Sequence, residues 1–285
     1  MIIRTAANKQ EIEQAIEAMW ANDPPKEEYK AGDLAHWLAL FASDPQGFWI
    51  AEDEDTQQIV GAATSNRRPP QWILTNFFVL PEYHGQGIGK MMLAQAFANR
   101  EGCERFLVHS STHPSAQMLY MQLGMYPLPH SIHFKGRSRN QPPQSSVAIE
   151  PYPVADILST LNTFDESALG FTRAVDHQRW GKSGSYFLVE AAGNIVGYFR
   201  VSSEPMLGPL VVSDARWTIP ALEHAFWKQS ELSPDEFEVF VPGANRAALE
   251  YLLACGYRYH EIDLLMSSHP MPGLAQVIFR DTDFL

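Results

Sequence analysis

Apolar positions along the chain fall alternately into dense short runs and into stripes of helical spacing, the order expected of an α/β protein. The run WILTNFFVL (Trp72–Leu80) is apolar and aromatic enough for a buried strand, and Pro81 ends it. Beyond it, Ile88, Met92, Leu93, Ala96 and Phe97 share one helical face and predict an amphipathic helix. FLVHSSTHPSAQMLYMQLGMY (Phe106–Tyr126) reads as a strand followed by a short helix, with Pro114 in its first turn and Gly124 closing it. Ala116, Leu119, Tyr120 and Leu123 line one face of that helix, so Tyr120 reads first as a packed residue with a wet hydroxyl.

The pattern then recurs. GFWIAEDEDTQQIVGAATS (Gly47–Ser65) aligns with GSYFLVEAAGNIVGYFRVS (Gly184–Ser202), two predicted hairpins that share Ile-Val-Gly. AQAF (Ala94–Phe97) aligns with LEHAF (Leu222–Phe226), and the helix Ala116–Gly124 with Ala248–Gly256. The second of these repeats an apolar face at Ala248, Tyr251, Leu252 and Cys255. Spacings that drift as loops lengthen and shorten are the signature of a tandem repeat, although strand–helix segments of any α/β protein can be aligned. The expected organisation is one domain at 1–138 and a second at 148–285. The polar, proline-containing stretch RSRNQPPQSS (Arg137–Ser146) supplies the linker expected at 139–147.

Composition narrows the class. With 285 residues, 45% hydrophobic and 12% aromatic, the chain has material for two ordinary globular domains. No apolar run approaches the roughly 18 residues of a membrane span, and the first twenty residues carry charges where a signal peptide keeps its apolar centre. Two cysteines, Cys103 and Cys255, make no disulfide framework, so a reducing, cytoplasmic setting is expected. The formal charge of -12 argues against nucleic acid and mildly favours a cationic small substrate; its plainer use is solubility.

The candidate chemistry lies in VLPEYHGQGIGKMML (Val79–Leu93). A dinucleotide fingerprint fails here because Gly85, Gly87 and Gly89 alternate and Lys90 stands where a third spaced glycine belongs. A nucleotide-hydrolase phosphate loop fails too. His84 occupies its first glycine position, and Met91 replaces the hydroxyl that holds magnesium. What survives is the general physics: glycines admit an anion to backbone N–H groups, and the helix N-terminus adds about half a positive charge. Strand, glycine turn and helix together read as a pyrophosphate cradle.

These stretches resemble the GCN5-related N-acetyltransferase (GNAT) superfamily, in a tandem form with a degenerate C-terminal copy. That family's acetyl-CoA loop follows a strand ending Val-x-Pro, met here by Val79–Pro81. The loop runs Gln or Arg, two residues, Gly, one residue, Gly or Ala, and HGQGIG (His84–Gly89) matches except at its first position. A second signature, A-x-x-x-Y-x-x-x-G, is met by Ala116, Tyr120 and Gly124, followed by Met125. The resemblance implies an α/β (α+β) fold of two tandem domains, each a mixed, splayed sheet flanked by helices. It implies acetyl-CoA as co-substrate and no metal. By its pattern the backbone of Phe77, Phe78 and Val79 meets the pantetheine and the acetyl carbonyl. His84, Gly85, Gln86, Gly87, Ile88, Gly89 and Lys90 hold the pyrophosphate, and Tyr120 protonates the departing thiolate.

Two positions depart from the pattern. His84 stands where a longer side chain reaches phosphate, and His113 where an asparagine contacts the CoA arm. The strand Ile73–Leu80 offers no carboxylate and Val108 replaces an acidic residue of some members, which leaves His109 or His113 as candidate general bases. The two histidines, one in a strand and one at a helix entry, share no helical face that would suit zinc. In the second copy GPLVVSDARWTIPAL (Gly208–Leu222) lacks the glycine turn and Leu252 replaces Tyr120, while Asn245 keeps a good N-cap and Val241, Pro242 and Asn245 resemble the C-terminal domains of tandem members. Two functions follow as alternatives: an N-acetyltransferase acting on a primary amine of a small molecule or peptide, or a non-catalytic acyl-CoA sensor or interaction protein. The acceptor-side stretch ANDPPKEEYKAG (Ala21–Gly32) carries no readable specificity, and oligomeric state is not legible.

Overall fold

The structure is a computed structural model and describes residues 1–22, 30–137, 141–232 and 236–283. Residues 23–29 of the acceptor-side stretch and 139–140 of the expected linker lie outside the described residues. The chain divides into two units, Met1–Val108 and His109–Leu285.

In the first unit, β1 (Ile2–Thr5), β2 (Phe48–Glu52), β3 (Ile59–Arg68) and β4 (Gln71–Val79) form an antiparallel sheet in that order. β5 (Arg105–Ser110), which crosses the division, adds to β4 in parallel. Helices α1 (Lys9–Asn22) and α2 (Lys30–Ser43) lie between β1 and β2 in the chain. They bury Ile12, Ala15, Ile16 and Trp37 with Phe48, Ile50 and Ala62 in one apolar cluster. Helix α3 (Ile88–Ala98) makes the crossover that a parallel pair needs, and it buries Ile88, Met92, Leu93 and Ala96, the stripe expected from the sequence.

One irregularity shapes this sheet. β3 and β4 pair as Thr64↔Asn76 and then Ser65↔Leu74, so Thr75 is an extra residue, a β-bulge. Its hydroxyl accepts from Thr64 Oγ1 at 2.6 Å and donates to the Thr64 carbonyl at 3.1 Å, so the buried kink carries no orphaned polar atom at that side chain. A bulge bends its strand, and the β4–β5 ladder stops beside it. Parallel pairs run from Gln71↔Arg105 to Leu74↔Val108, while β4 continues to Val79. The sheet is splayed where β4 ends.

The second unit opens with α4 (Pro114–Gln122), β6 (Tyr126–Pro127) and β7 (Ser131–Arg137). There follow β8 (Ala148–Tyr152), α5 (Val154–Leu169), α6 (Ala174–Trp180), β9 (Gly184–Ala191), β10 (Asn194–Ser202), β11 (Met206–Leu207) and β12 (Leu210–Val212). The chain closes with α7 (Thr218–Leu232), β13 (Glu236–Pro242), α8 (Arg246–Ala254), β14 (Arg258–Ser267) and β15 (Val277–Ile278). One sheet has the order β15-β12-β10-β9-β8. In the other, β7 is antiparallel to both β13 and β14. The two units therefore divide ahead of the linker expected at 139–147. β7, which precedes that stretch, exchanges its backbone hydrogen bonds with two strands that follow it.

The internal repeat is visible in registry. Gly61 lies opposite Val79 and Gly197 opposite Val212, which makes β12 the counterpart of the end of β4. A Cβ at Gly61 would stand 2.8 Å from the Phe78 carbonyl oxygen, and one at Gly197 2.5 Å from that of Val211, so both copies need glycine for the same close approach. Gly124 and Gly256 close α4 and α8 with φ of 85° and 82°.

A buried charge network knits α5, α6 and two strands of the second unit. Asp165 accepts from Arg173 Nε at 2.9 Å, Arg173 Nη2 at 2.7 Å, His177 Nε2 at 2.8 Å and the Tyr198 hydroxyl. Burial works against the Asp165 carboxylate; the charge of Arg173, with His177, outweighs it and holds the group well below the usual carboxylate range. Arg173→Met would leave that carboxylate buried without the guanidinium that faces it. The expected loss, read by chemical denaturation, is about 3–5 kcal/mol, and a loss under ~1 kcal/mol would show that the network adds little.

Candidate functional site

The glycine loop lies wholly in the first unit. From Leu80 the chain makes a 3-10 turn, Pro81–Tyr83, in which Tyr83 donates its N–H to the Leu80 carbonyl at 3.0 Å. The Tyr83 hydroxyl reaches Asp53 Oδ2 at 3.1 Å and ties the loop to the β2–β3 turn. Gly85 and Gly87 follow with φ of 78° and 80°, where any other residue is strained, and a Cβ at either would meet nothing within 4 Å. The space beside them is open. Gly87 is the N-cap of α3 with no side-chain cap, and the first helical bond is Met91 N–H to the Gly87 carbonyl at 3.0 Å. The backbone N–H groups of Ile88, Gly89 and Lys90 thus stand at the uncapped end of a helix dipole, with no acidic residue in the first turn. This geometry fits a pyrophosphate.

Gly89 serves another purpose. A Cβ there would lie 3.2 Å from Phe77 Cζ, so glycine lets α3 settle onto β4. Phe77 and Phe78 point to opposite sides of the strand: Phe78 packs with Trp37, ring centroids 6.4 Å apart, on the α1–α2 side. His84 Nε2 lies 2.7 Å from the Val79 carbonyl oxygen, so in this structure the ring donates to the end of β4. Gln86 is exposed and its Nε2 donates to the Glu82 carbonyl at 3.3 Å. Lys90 is exposed at the mouth of α3.

The remaining sequence-derived site residues belong to the second unit. Tyr120 is 4% exposed on α4, and burial pushes its phenol well above the ordinary tyrosine value, which keeps the proton on it at neutral pH. His113 is exposed at the N-cap of α4, and its side chain makes no cap hydrogen bond. His109 is held. Its Nδ1 lies 2.7 Å from the Thr282 carbonyl oxygen, its ring meets Phe279 edge-on at 5.4 Å, and its Nε2 is closed off from solvent with no partner among the described residues. Burial pushes this imidazole below the ordinary histidine value, so it is a neutral base at physiological pH. No cluster suited to a metal ion is found among the described residues.

The second copy is built differently at the same place. Its α7 follows a 3-10 turn capped by Asp214, whose carboxylate accepts from Arg216 N–H at 2.9 Å, so the protein's own anion sits at that turn. The edge of β12 away from β10 is taken by β15, paired Leu210↔Ile278 and Val211↔Val277. Phe279 then donates its N–H to the Phe240 carbonyl on β13 at 2.9 Å. Asn245 caps α8 through the Ala248 N–H at 3.2 Å and holds β15 through the Val277 carbonyl at 3.0 Å. The cleft that an extended ligand would enter in this copy is filled by the chain's own last strand. Sequence reading missed the bulge at Thr75 and the contact of Thr282 with His109, because neither leaves a local pattern.

Residues 10–125 match the family model described as acetyltransferase (GNAT) family, a span that covers the α3 loop and α4 alike. No curated protein matches the chain. Among solved structures, a Pyrococcus horikoshii protein described as an acetyltransferase aligns with a TM-score of 0.72 at 17% identity, over 99% of this chain and 92% of that one. A GCN5-related N-acetyltransferase from Sphaerobacter thermophilus aligns with a TM-score of 0.62 at 18% identity, over 96% and 98%. A tandem GNAT protein from the clavulanic acid biosynthesis pathway aligns with a TM-score of 0.55 at 15% identity, over 94% and 99%. At these identities the likeness is one of fold.

One CoA is expected to bind per chain, since α3 is uncapped and the second copy's cleft is filled; calorimetry resolving two equivalent sites would refute this. Gly87→Val should weaken CoA binding at least tenfold, about 1.4 kcal/mol, by straining the turn and crowding the anion's approach. An unchanged affinity in a folded variant would remove the cradle from consideration.

Proposed function

We propose that the protein moves an acetyl group from acetyl-CoA to a primary amine of a small molecule or peptide, by direct attack of the amine on the thioester, a reading supported by the match of residues 10–125 to the acetyltransferase (GNAT) family model. The observation that carries this reading is the uncapped, glycine-turned N-terminus of α3 beside a strand whose ladder ends early. In this reading the N–H groups of α3 hold the pyrophosphate, and the pantetheine arm runs along Phe77–Val79 as an added strand would. The His84 ring leaves the Val79 carbonyl as the arm arrives.

An amine attacks only as its free base, so a group must take a proton from the ammonium form. Of the two histidines, His109 suits the role: it is neutral, oriented by Thr282, and keeps one nitrogen unpartnered, whereas the exposed His113 side chain has no cap bond to orient it. Holding amine and acyl carbon together replaces a dilute encounter with an effectively intramolecular one, and a β4 backbone N–H supports the developing oxyanion. The thiolate that departs, with an ordinary thiol pKa near ~8.5, takes its proton from Tyr120. The chain's charge of -12 suits a cationic acceptor.

A thiol-release screen over polyamines, aminoglycosides, amino acids and peptide N-termini tests the reading; a chain that binds CoA yet releases no thiol with any amine would be a sensor instead. Tyr120→Phe keeps the apolar face of α4 and removes the proton. Turnover is expected to fall roughly ten- to ten-thousand-fold with little change in CoA affinity. If kcat is unaltered where chemistry limits the rate, Tyr120 is a packing residue only.

A further inference from the structure

We infer that the C-terminal segment Phe279–Asp283 is a positioning element for catalysis, holding His109 as its Nδ1–H tautomer so that Nε2 is the atom that receives the acceptor's proton. The inference rests on the acyl-transfer reading and adds to it a role for the last residues of the second copy.

The argument begins with what a carbonyl can do. The Thr282 oxygen only accepts, so the His109 nitrogen 2.7 Å away must be the protonated one, and the lone pair is left on Nε2. A free neutral imidazole in water favours the opposite tautomer, so the contact selects the minority form. Phe279, fully buried, fixes the ring plane from its edge. The segment is itself anchored: Val277 and Ile278 pair with β12, Phe279 bonds Phe240, and Arg280 pairs with Glu204 and Asp281. The Asp283 N–H donates to Asp281 Oδ1 at 3.0 Å and completes a turn around Thr282. A carbonyl held this firmly costs no reorganisation when the ring changes charge.

Nε2 is the second observation. It is closed off from solvent and has no hydrogen-bond partner among the described residues, a state that is costly for a buried acceptor unless a ligand or water completes it. The groups whose charge reaches the ring are Asp263 on β14, His133 on β7 and Asp283 in the segment. Burial depresses the imidazole most; the Thr282 carbonyl, Asp263 and Asp283 act in the opposite direction, and His133 adds to the lowering. The two carboxylates therefore favour the imidazolium at the moment it forms. In the step itself one N–H bond of the ammonium breaks and one forms at Nε2. The amine keeps the electron pair, which attacks the thioester carbon; the C–S bond breaks, the thiolate leaves with its own pair and takes the Tyr120 proton, and the acylated nitrogen returns its second proton to the Tyr120 oxygen, which leaves the neutral amide.

The full chain gives the first test without any substrate. Long-range 15N–1H spectra of its histidines, with His109 assigned by its loss in His109→Gln, should show the proton on Nδ1. A proton on Nε2 overturns the inference and leaves the acyl-transfer reading standing. The second test compares a chain ending at Asp281 with one ending at Asp283. Removing Thr282 and Asp283 together should lower kcat tenfold or more with CoA affinity within twofold. Adding His109→Gln to the shortened chain should cost nothing further, whereas additive losses would show that the segment acts elsewhere. Absence of acyl transfer by the intact chain to every amine overturns the underlying reading, whatever the tautomer.

Discussion

A strand that outruns its ladder presents an edge of backbone donors and acceptors, and a folded chain must satisfy that edge or use it. This constraint organises both copies of the repeat. In the first unit the bulge at Thr75 bends β4 just past Leu74↔Val108, and the strand continues to Val79 without its parallel partner's register. There the His84 ring already donates to the Val79 carbonyl, which shows how readily that edge takes a donor. In the second unit the counterpart strand β12 faces the same problem and solves it internally, with β15 paired along it. One copy keeps an edge that suits an extended, amide-bearing ligand, and the other has supplied its own.

The two helix N-termini follow the same division. Gly85 and Gly87 hold left-handed turns that only glycine adopts at low cost, and they leave α3 uncapped. That arrangement forgoes roughly 1 kcal/mol that an N-cap side chain would contribute, which suits a site where an incoming anion supplies the cap. At the start of α7 the chain instead places Asp214, whose carboxylate would repel a phosphate. The second copy therefore differs from the first in construction: a strand pairs along β12 and a carboxylate caps the turn before α7.

The segment after β15 joins the core of the second unit to His109. The second unit is held by a large apolar cluster around Phe199, Phe226, Phe237 and Val239, and by the buried Asp165–Arg173 pair. Buried ion pairs contribute little net stability but fix geometry, since half a pair is far worse than either a whole pair or none. Against that rigid body β15 is pinned, and the turn after it carries the Thr282 carbonyl to His109. The Thr282 carbonyl and the ring it orients thus belong to one unit, held by the same core.

Much of the local architecture is legible in the order of residues. The stripe Ile88–Met92–Leu93–Ala96 is buried as its spacing requires, the strand from Trp72 ends at Val79 ahead of Pro81, and Pro114 and Gly124 bound α4. The Ile-Val-Gly repeat marks two hairpins whose glycines face equivalent carbonyls. These features are local: periodicity, φ and cap chemistry depend on neighbours a few residues away. Which strands share hydrogen bonds was settled by packing across the whole fold. It put β7 between β13 and β14, which placed the division of the units before His109 and left the expected linker inside the second one. It put Thr75 out of register, β15 in the second cleft, and Thr282 on His109 across 173 residues of chain. The physical reason is that backbone hydrogen bonds carry no residue code. Any strand can pair with any edge, and the choice is made by which edges the packed cores leave open.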